Sequence, residues 1–275
     1  MYKYISTFIL LVLLSPVQAA IIAQGDDCGQ NCHWEIDDQT KTLTVTGTGG
    51  IKNYNRACPE NGCYTDAPWR AYSSQIEIID IGEGLTSIGA HAFEDMGRYR
   101  EVNLPSTMEV IGAESLRSGN LRTINLPDSV TTIGSWAFEG SGLVEFNIPP
   151  QVTRLESAVL GNTNLSNIVI PDWVEYIHPN AFAASLEDDR IWTPLNTIYC
   201  PEALQEQCRV AAGYRGIEPT IYSKDANGNF IVGLKAYSNM TDILSGNYIK
   251  KRIYTIEEAS RASKTTGNVI KLRYK

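Results

Sequence analysis

The stretch Leu121-Arg122-Thr123-Ile124-Asn125-Leu126-Pro127-Asp128-Ser129-Val130-Thr131-Thr132-Ile133-Gly134-Ser135-Trp136-Ala137-Phe138 decides how this chain folds. Its apolar side chains at 121, 124 and 126 alternate with polar ones towards the end, the period of a half-buried strand. Pro127 lacks the N–H that a ladder needs and ends the strand. Asp128-Ser129 make a turn, and Val130 and Ile133 return apolar groups to the same interior. Gly134 permits a tight backbone, and Ala137-Phe138 fill the space before the next strand begins at Leu143.

The pattern recurs. Asn103-Leu104-Pro105, Asn125-Leu126-Pro127, Asn147-Ile148-Pro149 and Val169-Ile170-Pro171 follow one another at 22 residues. A second anchor runs Ile88-Gly89, Ile111-Gly112, Ile133-Gly134, Leu155-Glu156 and Ile177-His178, with one step of 23. Bulky apolar residues hold a third at Phe93, Leu116, Phe138, Leu160 and Phe182, and Tyr99, Leu121, Leu143 and Leu165 open the coils. One such coil cannot bury its apolar side alone, so the coils must stack into a nearly one-dimensional solenoid with a parallel sheet along one face. At about 4.8 Å per strand, five or six coils make a ridge of about 25 Å.

This line of residues resembles the repeat of the BspA-type leucine-rich repeat family over about residues 76 to 200. The preceding segment resembles the leader module found before such repeats, in Cys28-Gly29, Trp34, Thr42-Leu43-Thr44-Val45-Thr46-Gly47-Thr48-Gly49, Tyr54 and Ala67-Pro68-Trp69. Some coils depart from the pattern: one has Glu156 for the glycine and one has Leu116 for the aromatic. The family includes surface proteins implicated in adhesion and host-protein binding, and the resemblance implies that class of function here.

The expected fold is therefore a leucine-rich repeat solenoid with 22–23-residue coils and a parallel β-sheet face, a β-rich N-terminal cap and a small α+β C-terminal tail. Residues 1–19 read as a signal peptide: Lys3, a short apolar run to Leu14, Ser15-Pro16 and then Val17-Gln18-Ala19 as a cleavage site. An uncleaved anchor is the alternative. The capping module takes 20–75, the solenoid 76–208 with an insertion at about 187–194, and the tail 209–275. No transmembrane segment is expected in the mature chain. The place expected is the cell surface or the medium, with the periplasm as the alternative.

The net charge of -8, with no basic cluster, argues against nucleic acid, because phosphate contacts need a dense cationic face. The six cysteines form three close pairs, Cys28/Cys32, Cys58/Cys63 and Cys200/Cys208. In an exported chain they suggest local disulfides, with crossed pairing as the alternative. Neither their spacing nor His33, His91 and His178 fits a zinc pattern. Asp225-x-Asn227-x-Asn229 opens like a calcium loop but has Ala236 where the bidentate carboxylate belongs, and reads as a hairpin turn between Pro219–Tyr222 and Phe230–Val232. No catalytic motif is present, so neither catalytic residue, metal nor cofactor is expected.

The candidate ligand-binding residues lie on the sheet face and the coil edges. Asn103, Asn125, Asn147, Val169 and Tyr199 form one outward line across consecutive strands. A stacked asparagine ladder closing its own hydrogen bonds is the alternative for the first three. Trp136 and Trp173 occupy positions that other coils fill with His91, Glu114, Ala158 and Asn180 or with Thr107, Ser129 and Gln151. Trp192 lies in the insertion. Such tryptophans favour contact surfaces, unless they cover the tail or the insertion. The expected function is non-catalytic binding of a protein or glycan at or outside the cell surface. A structural envelope or periplasmic scaffold without external ligand is the alternative.

Overall fold

A computed structural model describes residues 20–58, 64–183, 194–212, 220–224, 230–232 and 235–237. The expected signal peptide, the insertion with Asp188, Asp189 and Trp192, the turn at 225–229 and everything after 237 lie outside the described residues.

The chain opens as an antiparallel meander of β1 (Ile21–Gly25), β2 (Cys32–Asp37) and β3 (Thr42–Gly47). Alternation buries Trp34, Ile36, Leu43 and Val45 on one side. β3 then pairs in parallel with Ile78–Ile81, which pairs in parallel with Glu101–Asn103. Leu43 stands opposite Ile79, and Ile79 opposite Val102. The cap thus shares its sheet with the first two coils.

Each coil turns back through a second short strand. Gly49–Gly50, Leu85–Ile88, Val110–Ile111 and Thr132–Ile133 make one parallel sheet, and Arg154–Leu155 pairs with Tyr176–Ile177 in another. A third side is stitched coil to coil. The N–H groups of His91, Phe93 and Asp95 donate to the carbonyls of Ala113, Ser115 and Arg117 at 2.9–3.1 Å, and those of Glu114, Leu116 and Ser118 to Ser135, Ala137 and Glu139 at 2.8–3.0 Å. Reaching the next coil this way uses left-handed residues twice per coil: His91, Glu114, Trp136 and Ala158 have φ between 49 and 63°, and Asp95, Ser118, Gly140 and Asn162 between 52 and 69°. The repeated glycine has a steric cause. A Cβ at Gly89 would lie 2.0 Å from the Lys52 carbonyl, and one at Gly112 2.5 Å from that of Ile88.

The anchors fill the centre. Phe93, Leu116, Phe138, Leu160 and Phe182 are all buried, as are Tyr99, Leu121, Leu143 and Leu165. Trp69 closes the N-terminal end, stacked on Phe93 at 5.3 Å and edge-on to Tyr54 and Trp34, with its Nε1–H donating to the Ala92 carbonyl at 2.7 Å. One expectation needs correction. The first-face sheet is not continuous: residues 121–127 and 143–149 form no strand, and the Val144 N–H to Arg122 carbonyl bond joins the two coils there. Pro127 and Pro149 shorten these segments, and the other two sides hold the register.

Past the repeats, Asn167–Val169 pairs in parallel with Thr197–Pro201 and that strand with Thr220–Lys224, which starts an antiparallel run through Phe230–Val232 and Lys235–Tyr237. A 3-10 turn at Glu202–Leu204 and helix α1 (Gln205–Ala212) carry the crossover. A boundary at 208/209 would cut α1, whose Cys208 is bonded to Cys200 on the strand. From α1, Gln207 Oε1 accepts the Ile177 N–H at 2.8 Å and Nε2 reaches the Glu175 carbonyl at 3.4 Å, so one carboxamide stands in for the next strand at that sheet edge.

Cys28 pairs with Cys32, and Cys58 is disulfide-bonded; Cys63 lies outside the described residues. Non-reducing peptide mapping should return the Cys28–Cys32 and Cys200–Cys208 links within single short peptides. A Cys200–Cys58 link would overturn this arrangement.

Candidate binding surface

The strand alternation that buries Ile79 and Val102 turns Asp80 and Asn103 outward. Asn103, Asn125 and Asn147 are all exposed. The Asn103 carboxamide donates to Glu101 Oε1 at 3.1 Å, and the side chains of Asn125 and Asn147 make no hydrogen bond among the described residues. The three do not form the stacked ladder weighed above.

Val169 and Tyr199 stand opposite each other on adjacent strands. They are only 4% and 2% exposed, so the expected outward line ends before them. Alternation tells which side of a sheet a residue occupies and leaves open whether that side meets water. Here the sheet continues into Thr220–Lys224, and the Tyr222 hydroxyl donates to the Ile170 carbonyl. Val169→Lys or Tyr199→Lys should therefore lower the melting temperature, because each would bury an unpaired ammonium.

The tryptophans divide. Trp173 is 39% exposed, and its Nε1–H donates to the Pro149 carbonyl at 2.9 Å. The residues at this place in earlier coils do the same thing: Thr107 donates to Leu85 (2.8 Å), Ser129 to Met108 (2.6 Å) and Gln151 to Asp128 (2.7 Å). The position is a clasp to the preceding coil, and only the donor was required. Trp136 is half-buried, with the Arg117 guanidinium 5.7 Å from its ring centroid, and it offers less open surface than expected. Trp192 lies outside the described residues.

A charged cluster lies outside the residues singled out by motif or repeat position. The residue after each bulky anchor is Glu94, Arg117 and Glu139 in three successive coils. Arg117 bonds Glu139 (2.8 Å), Glu94 (3.0 Å) and Glu114 (3.2 Å), and Arg56 from the cap bonds Glu94 (3.0 Å) and Glu114 (3.4 Å). The alternating sign at the coil spacing is a signal that aligned coils would have shown; Arg56 has none. Burial holds the Glu94 carboxyl above its ordinary pKa, while the bond from His91 at 2.6 Å and the charge of Arg56 pull it down. The ligand atoms of His91, Glu94 and Glu114 lie within 4.8 Å of one another, but both carboxylates are already held by guanidinium groups. The cluster fastens three coils to the cap.

Coils of 22–23 residues joined on three sides define a leucine-rich repeat protein. Residues 71–187 match the BspA type leucine-rich repeat region in six copies. A leucine-rich repeat protein from Eubacterium ventriosum shares the fold at 20% identity and a TM-score of 0.54, over 77% of this chain and 49% of that one. The pneumococcal vaccine antigen PcpA matches at 20% identity and 0.40, over 55% of this chain and 36% of its own. A leucine-rich cell surface protein from Faecalibacterium prausnitzii matches at 20% and 0.39, over 76% and 60%. The chain thus spans less than two thirds of each of these proteins. No curated protein matches it.

Proposed function

We propose that this protein is an exported, non-catalytic binding protein that holds a macromolecule at the cell surface or in the medium. The contact is made by the outward repeat face at Asn103, Asn125 and Asn147 and by the coil edge at Trp173. The observation that carries this reading is the pair of exposed, uncommitted carboxamides of Asn125 and Asn147 on a rigidly fastened scaffold. An exposed amide without an internal partner contributes little to stability, whereas one facing a ligand supplies both donors and an acceptor. The N-terminal sequence supports export. No helix among the described residues is long and apolar enough to cross a membrane.

Two measurements test it. Protease added to intact producing cells should remove a surface-held protein, and a chain that survives untouched inside the envelope points to the scaffold role. Ligand capture by the purified chain should fall in Asn125→Ala/Asn147→Ala while the melting temperature stays unchanged. Capture that survives this double change but is lost on deleting residues 213–275 would make the tail the recognition element.

A further inference from the structure

We infer that the strip from Asn103 to Asn147, ending at Trp173, binds a neutral glycan chain. This rests on the binding role proposed above and names its ligand class. Asn103, Asn125 and Asn147 recur once per coil, and the bonds from the Asn120 N–H to the Tyr99 carbonyl (3.1 Å) and from the Val144 N–H to the Arg122 carbonyl (2.9 Å) draw successive coils to about the 4.8 Å approach of hydrogen-bonded chains. That interval is close to the rise of one pyranose unit in an extended polysaccharide. A peptide strand lying along the same line would present same-side groups about 6.6 Å apart, at 3.3 Å per residue, and would fall out of step.

A carboxamide offers two donors and an acceptor, the complement of vicinal hydroxyls. Trp173 has its N–H fixed on the carbonyl of Pro149, two residues past Asn147, so the indole is held in place and its exposed part serves for stacking. A fixed aromatic face beside amides suits the C–H side of a sugar ring. Among the described residues of coils 121–173, Val144 and Trp173 are the exposed large hydrophobics, too few for the clustered anchors of a protein interface.

Charge narrows the class. Exposed Glu101 and Glu145 lie two residues before Asn103 and Asn147, on the same side of their strands, and Asp80 stands opposite Asn103. Arg100 is paired with Glu77 at 2.7 Å, leaving Arg122 against three carboxylates. A sulfated or uronic polymer would meet repulsion, and an uncharged one would not.

The test is calorimetric titration of the disulfide-intact chain with cello-, xylo- and manno-oligosaccharides of increasing length, with a heparin fragment as the anionic comparison. At least one neutral series should bind, more tightly with each added sugar up to the length of the strip. Asn125→Ala/Asn147→Ala and Trp173→Ala should each weaken that binding by about tenfold or more. Because Trp173→Ala also removes the clasp, Trp173→Phe, which keeps a ring, should bind better than Trp173→Ala at equal loss of the Pro149 bond. The assignment is overturned if no neutral series binds at about 1 mM, if the variants bind like the parent, or if the heparin fragment binds best. Should the neutral glycans fail while the asparagine pair still governs capture of a protein, the face is a protein-binding one and the glycan assignment alone falls.

Discussion

Phe138→Ala should lower the unfolding free energy by about 3–5 kcal/mol through lost burial and a retained cavity. Phe138 is fully buried and edge-on to Phe146 at 5.3 Å. Collapse around the missing ring is resisted because neighbouring coils are pinned at fixed spacing. The Leu116 N–H donates to Ala137 at 3.0 Å and the Phe138 N–H to Val159 at 3.2 Å. The melting temperature should fall on the order of 10 °C. Trp136→Ser, two residues away, removes a half-buried ring and a cation–π contact of about 1 kcal/mol or less. Equal losses for the two variants would show that inward and outward positions have been exchanged.

Arg117→Met should destabilise the fold by about 3–5 kcal/mol at neutral pH, the effect of breaking a buried ion pair from one side. The Arg117 side chain is 15% exposed, and those of Glu94 and Glu139 are 1% and 4% exposed. Without the guanidinium these carboxylates keep their desolvation and lose a partner. The pH dependence has a definite sign. Burial already raises the Glu94 pKa, and loss of Arg117 raises it further. A carboxyl raised in the folded state favours folding below its unfolded pKa, near 4.3, and that contribution is lost as pH rises through the folded value. The gap in melting temperature between parent and variant should therefore narrow as pH falls from 7.5 towards 5. A gap that stays constant would mean that Arg117 acts by packing alone.

Much of the fold is legible because the repeat states it several times over. Phe93, Phe138 and Phe182 each occupy a place that is apolar in every coil, and each is buried. Gly89, Gly112 and Gly134 recur where neighbouring backbones leave no room for a Cβ. The donor shared by Thr107, Ser129, Gln151 and Trp173 was also present in the sequence. There a change of residue type masked a constant function, so Trp173 reads as an anomaly until the four hydrogen bonds are compared. The Glu94–Arg117–Glu139 alternation was readable in the same way, whereas the reach of Arg56 across 38 residues to Glu94 depends on how the cap docks.

The sequence by itself determined the stacked coils, their interior and the outward place of Asn103, Asn125 and Asn147, because burial in a solenoid is set by local period and nearest-neighbour stacking. Which outward positions reach solvent was decided only by tertiary structure. Val169 and Tyr199 share the side that the alternation assigns to Asn147, yet both are buried where the sheet runs on into Thr220–Lys224. That continuation joins residues far apart in sequence, and no period within a coil encodes it.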